Sequence, residues 1–275
     1  MKKPHIVLVG SGFGGLYVAK SLVSLVEKGL IDVTILNRTN YFLFTPLLHE
    51  VATGSLSPSS ITEPLREIFA GTEIRFLLGN VDSIDSSMQI IHCGEQAIHY
   101  DFLVLATGAD TNFYNIPGAG EFCFSLKNIS AALRIRNHVI DSFEQALLLK
   151  DSGEIQKLLS FVVVGGGATG VELTAELMEL VETLEKRYFS RFHDFFREHH
   201  ASVTLVNSGR ELLSVFDPFL RKTAEERLRT KGVFLQMGSA VREVSADCIT
   251  LANGSVIPSR MIVWTAGVKA VTPRF

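Results

Sequence analysis

The chain has 275 residues, room for about two domains at roughly 150 residues each. Hydrophobic residues make up 47% and charged residues 20%, the balance of a globular protein with sizeable cores rather than of a disordered chain. The net charge of −3 and the pI near 6.2 offer no basic face, so no nucleic acid is expected as a partner.

Mean hydropathy of +0.25 fits buried parallel strands or a membrane-facing surface. No apolar run approaches the roughly 18 residues of a membrane span. The run at residues 6–9 stops at Gly10, too short for the core of a signal peptide. Cys93, Cys123 and Cys248 stand far apart without a CxxC pair, which excludes a zinc site, a disulfide framework and paired-cysteine flavin chemistry; buried, inert thiols are expected.

Residues 5–9 form a short apolar run of the kind buried on both faces of a parallel sheet. It runs straight into Gly10-Ser11-Gly12-Phe13-Gly14-Gly15. A helix over about 16–28 follows, with Leu16, Ala19, Leu22, Val23 and Val26 on one face and Gly29 as its stop. Residues 33–36 then read as a second strand. In such a unit the first glycine makes the tight turn, the second lets backbone approach a pyrophosphate, and the third lets helix and strand pack closely. The helix start offers free N–H groups to the phosphates. An acid is expected at the end of the second strand, but Asn37 stands there; its amide oxygen could still accept a ribose hydrogen bond, worth about 1 kcal/mol less than a charge-assisted one.

The pattern returns about 155 residues later. An apolar strand at 161–164 feeds Gly165-Gly166-Gly167-Ala168-Thr169-Gly170, a helix follows, and a strand at 202–206 ends at Asn207. Two complete units make chance a poor explanation. Asn207 again replaces the acid, removing its repulsion of an NADP 2′-phosphate. Arg210 could pair with that phosphate or could be a solvated surface charge with NADH preferred.

Between and after these units, residues 101–105 lead into Ala106-Thr107-Gly108 and residues 261–264 into Thr265-Ala266-Gly267. Both are expected as buried strands closed where backbone must pass near a ligand. Pro117-Gly118 suggests a crossing between domains. Residues 130–150 read as a helix packing through Leu133, Val139, Ile140, Phe143 and Leu147, and 179–200 as another with Tyr188, Phe192 and Phe195 on one side. His193, His199 and His200 have no companions at metal spacing and read as surface residues, so no metal is expected.

The sequence resembles the type II, single-subunit NADH dehydrogenases, flavoproteins that pass electrons from NADH to quinone. The resemblance rests on residues 6–15, on Asn40-Tyr41-Phe42-Leu43-Phe44-Thr45-Pro46-Leu47-Leu48 with Glu50-Val51-Ala52-Thr53-Gly54, and on Ala106-Thr107-Gly108-Ala109. It continues through residues 165–172 and Val263-Trp264-Thr265-Ala266-Gly267-Val268. It implies an α/β fold of two interleaved Rossmann-like domains: 1–115 for FAD, 116–250 for NAD(P)H, and a return to the first at 251–275. FAD would be held through Gly10, Gly12, Phe13, Gly14, Gly15, Asn37 and Arg38, with Thr45, Val81, Ala106, Thr107 and Gly108 nearer the ribitol, adenine or flavin ring. NADH or NADPH would be held through Gly165, Gly167, Ala168, Thr169, Gly170, Asn207 and Arg210, with Ala266 and Gly267 closing the last strand. Glu172, Thr45 and Pro46 would be the positioning groups of the catalytic centre, although a glutamate in the first turn of a helix is also favoured simply by the dipole.

The family continues beyond the Thr-Ala-Gly strand to a Gly-Asp segment for FAD and to amphipathic membrane-attaching helices. With Phe275 as the last residue, the first domain is expected to be incomplete at its C-terminal end. The implied partners are a quinone or other electron acceptor and a second copy in a homodimer; full-length members associate with membranes. The implied location is the cytoplasm or the inner face of the membrane. Two other readings stay open: a related flavoprotein reductase with a soluble acceptor, and a non-catalytic or partner-dependent nucleotide-binding remnant.

Overall fold

The computed structural model describes residues 3–275 and resolves into two compact units. The first comprises residues 3–44, 59–110 and 269–275 of the described chain; the second comprises 45–58 and 111–268. Both have the α/β plan implied by the sequence: a parallel sheet whose central strand feeds a glycine loop and a helix.

In the first unit the sheet runs Arg75–Leu78, Asp32–Asn37, His5–Val9, Phe102–Leu105, all parallel. Side chains alternate across it. Leu8 and Ile35, paired in register, join Leu16, Ala19 and Val26 of the helix Phe13–Glu27 in one core. Val7, Val9 and Leu36 point to the other face, where Ile84 and Ile91 of a three-stranded antiparallel meander cover them. Burial on both faces explains why residues 5–9 are apolar throughout instead of alternating. Gly29, at φ +67, ends the helix as its N–H donates to the Val26 carbonyl.

In the second unit the order is Cys123–Ser125, Met261–Trp264, Ser160–Val164, Ser202–Asn207, Phe234–Met237, again all parallel. One face carries Val162, Val164, Val206, Ile262 and Trp264 against a second antiparallel meander, through Val241, Val244, Ile249 and Leu251. The helices Ile129–Ala146 and Ala168–Thr183 belong to the other face, where Phe143 stacks on Phe161. Asn128 caps the former, its side-chain oxygen accepting the Ala131 N–H at 2.9 Å.

Four expectations change. The strand Met261–Trp264 is buried throughout, whereas Phe102–Leu105 is the outermost strand of its sheet and leaves Phe102 and Leu105 exposed. Residues 251–268 stay in the second unit because Met261–Trp264 pairs within its sheet, so the chain returns to the first unit only at Lys269; its earlier crossing lies at Asp110–Thr111. No continuous helix covers 179–200. The helix Ala168–Thr183 passes into a π-helical turn over Leu184–Tyr188, then a short helix His193–Glu198. The wide turn rotates the following side chains: Tyr188 and Phe192 face solvent, and Phe189 and Phe196 pack on Phe143 instead. The cysteines are half-buried, not buried, though burial pushes the Cys123 thiol up to about 12, which keeps it protonated and unreactive at neutral pH.

Candidate functional site

The two glycine loops are built by the same contacts. Gly10 N–H donates to the Leu36 carbonyl at 2.8 Å, and Gly165 N–H to that of Val206 at 2.9 Å. Each first glycine has positive φ, +100 and +121, and lies against the loop closing the neighbouring strand: a Cβ on Gly10 would meet the Ala106 carbonyl oxygen at 2.2 Å, and one on Gly165 the Ala266 nitrogen at 2.8 Å. The third glycines are equally tight. A Cβ on Gly15 would lie 1.9 Å from the Gly10 carbonyl oxygen, and one on Gly170 1.8 Å from that of Gly165. The middle glycines differ: a Cβ on Gly12 or Gly167 meets nothing within 4 Å. Protein packing therefore requires the first and third glycines, and open space surrounds the middle one, as a loop that admits a ligand needs.

Gly12 and Gly167 also cap the helices that follow, in extended conformation and without side-chain caps. Neither helix has an acid in its first turn, so the N–H groups and the positive end of each dipole are unopposed. Phe13 packs edge-on against Phe42 and Phe44, at 5.2 and 5.5 Å between centroids, walling one side of the first loop. Gly14, Ala168 and Thr169 are exposed on the two loops. Ser11 is buried, and among the described residues its hydroxyl has no hydrogen-bond partner.

Asn37 and Asn207 behave alike, each amide tied into its own loop. Asn37 Oδ1 accepts the Ser11 N–H at 3.1 Å while Nδ2 donates to the carbonyl and hydroxyl oxygens of Thr39. Asn207 Oδ1 accepts the Gly166 N–H at 3.1 Å while Nδ2 donates to the Gly209 and Glu211 carbonyls at 3.2 and 3.0 Å. Each amide clasps its glycine loop to the segment behind its strand, so its first role is structural. Arg38 and Arg210 are exposed.

The strand-closing segments are held close by. Thr107 donates its hydroxyl to the Val271 carbonyl, and Gly108, at φ +73, accepts the Val271 N–H. Thr265 donates to the Val164 carbonyl at 2.9 Å. The Trp264 indole donates to the carbonyls of Asn112 and Ala266, and Gly267, at φ +74, leaves no room for a Cβ beside Tyr114. Val81 packs half-buried against the core under the first meander, where its nearest role is packing.

Glu172 is the fifth residue of its helix, beyond the first turn, so the dipole does not account for it. Its carboxylate lies 3.7 Å from Nδ1 of His49, whose side chain is only 11% exposed against 50% for the glutamate. Four residues on, Glu176 accepts hydroxyls from Ser55 and Thr53 at 2.8 and 3.3 Å. Thr45 and Pro46, both exposed, begin the turn that leads into the short helix Leu48–Thr53 carrying His49. Sequence reasoning nominated none of His49, Thr53, Ser55 and Glu176 for the site, since they lie outside both glycine loops.

Residues 4–274 match the family model described as pyridine nucleotide-disulphide oxidoreductase. The chain is 36% identical to an external alternative NAD(P)H-ubiquinone oxidoreductase B2 of Arabidopsis thaliana, over 97% of this chain and 47% of the relative. It is 35% identical to the type II NADH:quinone oxidoreductase Ndh of Mycobacterium tuberculosis, over 98% of this chain and 58% of the relative. A solved structure of NDH2 from Plasmodium falciparum in complex with NADH superposes with a TM-score of 0.88 at 27% identity, covering 99% of this chain and 56% of that one. The chain thus spans about half the length of the curated relatives it matches. The match over almost every residue, on a fold with two glycine loops of one design, establishes that the chain belongs to the pyridine nucleotide-disulphide oxidoreductase family and is similar, within it, to the type II NADH:quinone oxidoreductases.

Proposed function

We propose that this chain is the nucleotide-binding part of an NAD(P)H:quinone-type flavin oxidoreductase, with FAD at the first glycine loop and NADH or NADPH at the second. The observation that carries the reading is the pair of open middle glycines, Gly12 and Gly167, each at the uncapped start of a helix. Bound together, the two nucleotides supply a hydride donor and a flavin that accepts it and hands electrons on to the acceptor.

The chain's own residues bind and orient. At the first loop, Gly12, Gly14 and the N–H groups following them face the pyrophosphate, and the unpartnered Ser11 hydroxyl is a polar atom that a bound nucleotide or its water can satisfy. Gly10 and Gly15 form the tight turn; Asn37 holds the loop's shape, and Arg38, Thr107 and Gly108 border it. At the second loop, Gly167, Ala168 and Thr169 present the N–H groups, while Gly165, Gly170, Asn207, Ala266 and Gly267 build the frame. Glu172, fixed by His49, and the turn at Thr45 and Pro46 are positioning groups rather than acid–base catalysts. The acceptor in this reading is a quinone, as in the names of the relatives.

Purified protein tests it directly. The chain should take up FAD, show flavin absorbance, lose it on addition of NADH or NADPH, and regain it with a soluble quinone. A colourless protein that cannot be loaded with FAD would leave only nucleotide binding.

A further inference from the structure

We infer that a cleft in the first unit, at the far end of the strand His5–Val9 from Gly10, binds a small zwitterion of the α-amino acid class. Arg75 and Lys3 take its carboxylate and Asp32 its ammonium group. The inference goes beyond the nucleotide reading and does not depend on it, because no residue of either glycine loop borders the cleft.

The cleft follows from the register of the sheet. His5 pairs with Asp32 and Thr34 with Arg75, so all four side chains leave on the face that also carries Val7 and Leu36. The antiparallel meander covers Val7 and Leu36. Beside the strand starts, a half-open space of about 390 Å³ remains, bordered on the meander side by Gln89 and Asp101. That volume falls within the roughly 300–1,000 Å³ of small-molecule sites. Its frame is fixed by hydrogen bonds. His5 Nδ1 meets the His99 carbonyl at 2.7 Å; a carbonyl can only accept, so Nδ1 carries the ring proton and Nε2 accepts the Thr34 hydroxyl at 2.8 Å. Asp101 accepts the His5 N–H at 2.7 Å. Gln89, at φ +55, accepts the Tyr100 N–H at 3.0 Å and donates its amide to the Asp101 carbonyl at 3.3 Å.

The charged groups on this frame do not satisfy one another. Among the described residues, the Lys3 ammonium, the Arg75 guanidinium and the Asp32 carboxylate make no ion pair or hydrogen bond, although all three border the same space. The Asp101 carboxylate has only the backbone N–H of His5. Two cations and two carboxylates therefore face the cleft. A simple anion would gain from Arg75 and Lys3 but be repelled by Asp32 and Asp101, and a simple cation would meet the reverse. A ligand that carries both charges a few ångströms apart meets each pair with the right sign. Its carboxylate suits Arg75, whose guanidinium offers two parallel hydrogen bonds. Its ammonium group, a donor only, suits the acceptor-only carboxylate of Asp32. Met88 is the one aliphatic side chain of the lining, so a small or polar side chain on the ligand fits better than a large apolar one.

Amide chemical shifts of the full chain, followed by NMR during titration with glycine, L-serine and L-glutamine, test this. At least one of the three should give saturable shifts centred on residues 3–5, 32, 75 and 88–101. Ethanolamine, which is serine without its carboxylate, and 3-hydroxypropionate, which is serine without its ammonium group, should each bind at least tenfold more weakly than serine. Arg75→Ala and Asp32→Asn should each lower the affinity tenfold or more while leaving the unfolding curve and the uptake of FAD unchanged. Absence of saturable shifts with all three amino acids, shifts centred elsewhere, equal binding of either analogue, or affinity that survives the double substitution would each overturn the inference. None of these outcomes bears on the nucleotide reading, which FAD uptake tests separately.

Discussion

Nδ1 of His49 lies 3.7 Å from the carboxylate of Glu172, joining a short helix from early in the chain to the helix of the second glycine loop. The same two helices meet again where Glu176 receives the hydroxyls of Thr53 and Ser55. Glu172 and Glu176 are four residues apart and so share a helix face. That face explains why residues 45–58 belong to the second unit although the residues on both sides of them belong to the first.

The attachment can be loosened without touching either loop. Glu176→Ala leaves the Thr53 hydroxyl its contacts to the His49 and Glu50 carbonyls but removes the carboxylate acceptor of Ser55, whose hydroxyl then has only that of Thr53 at 3.3 Å. We expect a loss of about 1 kcal/mol in urea-induced unfolding and faster proteolytic cleavage within 45–58. Unchanged cleavage would mean that apolar packing of Leu48, Val51 and Ala52 alone holds the segment.

Two glycines three residues apart should fail in different ways. Gly170→Ala drives a Cβ into the Gly165 carbonyl, so overpacking should destabilise the second unit by about 1–3 kcal/mol or more. Gly167→Ala meets only open space at φ −78, so it should change stability by about 1 kcal/mol or less. It should nonetheless weaken nicotinamide-nucleotide binding at least tenfold, because the methyl group occupies ligand space. Unfolding curves measured beside binding titrations separate the two effects.

The segment after the π-helical turn gives a similar contrast. Phe196 is 3% exposed, with its ring 5.0 Å from that of Phe143 and 5.6 Å from that of Phe189. Phe196→Ala should cost about 3–5 kcal/mol. Phe192, 48% exposed, should cost about 0.5 kcal/mol or less when truncated. Equal effects would mean that the helical face continues unrotated through residue 200.

Acid should expose a clasp at the base of the second sheet. Arg260 donates from Nε to Asp247 at 2.7 Å and also contacts Glu154, and its hydrogen bond holds the Asp247 carboxyl below its ordinary value of 3.8. Because the folded-state value is the lower one, this contribution is present above pH 3.8 and is lost as pH falls through the folded-state value. The pair is half exposed, so the effect should be about 1 kcal/mol or less. Thermal unfolding of Asp247→Asn should start lower at pH 7 and fall less steeply between pH 5 and pH 3 than that of the unaltered protein.

The strands, the glycine loops and the helices after them were legible because each rests on local chemistry. Apolar runs mark strands buried on both faces, and closely spaced glycines mark a turn that side chains would block. The limits came from contacts between distant segments. Asn37 and Asn207 were visible as substitutions for an acid, but the Ser11 and Gly166 N–H groups that their amide oxygens accept lie 26 and 41 residues away in the chain. Tyr188, Phe192 and Phe195 looked like one helical face until the π-helical turn placed Phe189 and Phe196 inward. Phe102 looked buried because a strand's composition does not say whether it has one neighbour or two.

By itself, the sequence determined that there are two glycine loops of one design, where each begins, and that neither is followed by the usual acid, because turn geometry and strand burial are written in adjacent residues. Only the tertiary structure decided which glycines the protein itself requires and which leave space for a ligand. It alone joined His49 to Glu172, brought residues 45–58 into the second unit, and showed two asparagines clasping their glycine loops. The physical reason is common to all of these: a hydrogen bond or a steric limit depends on which atoms arrive within about 3 Å, and for residues far apart in the chain only the fold sets that distance.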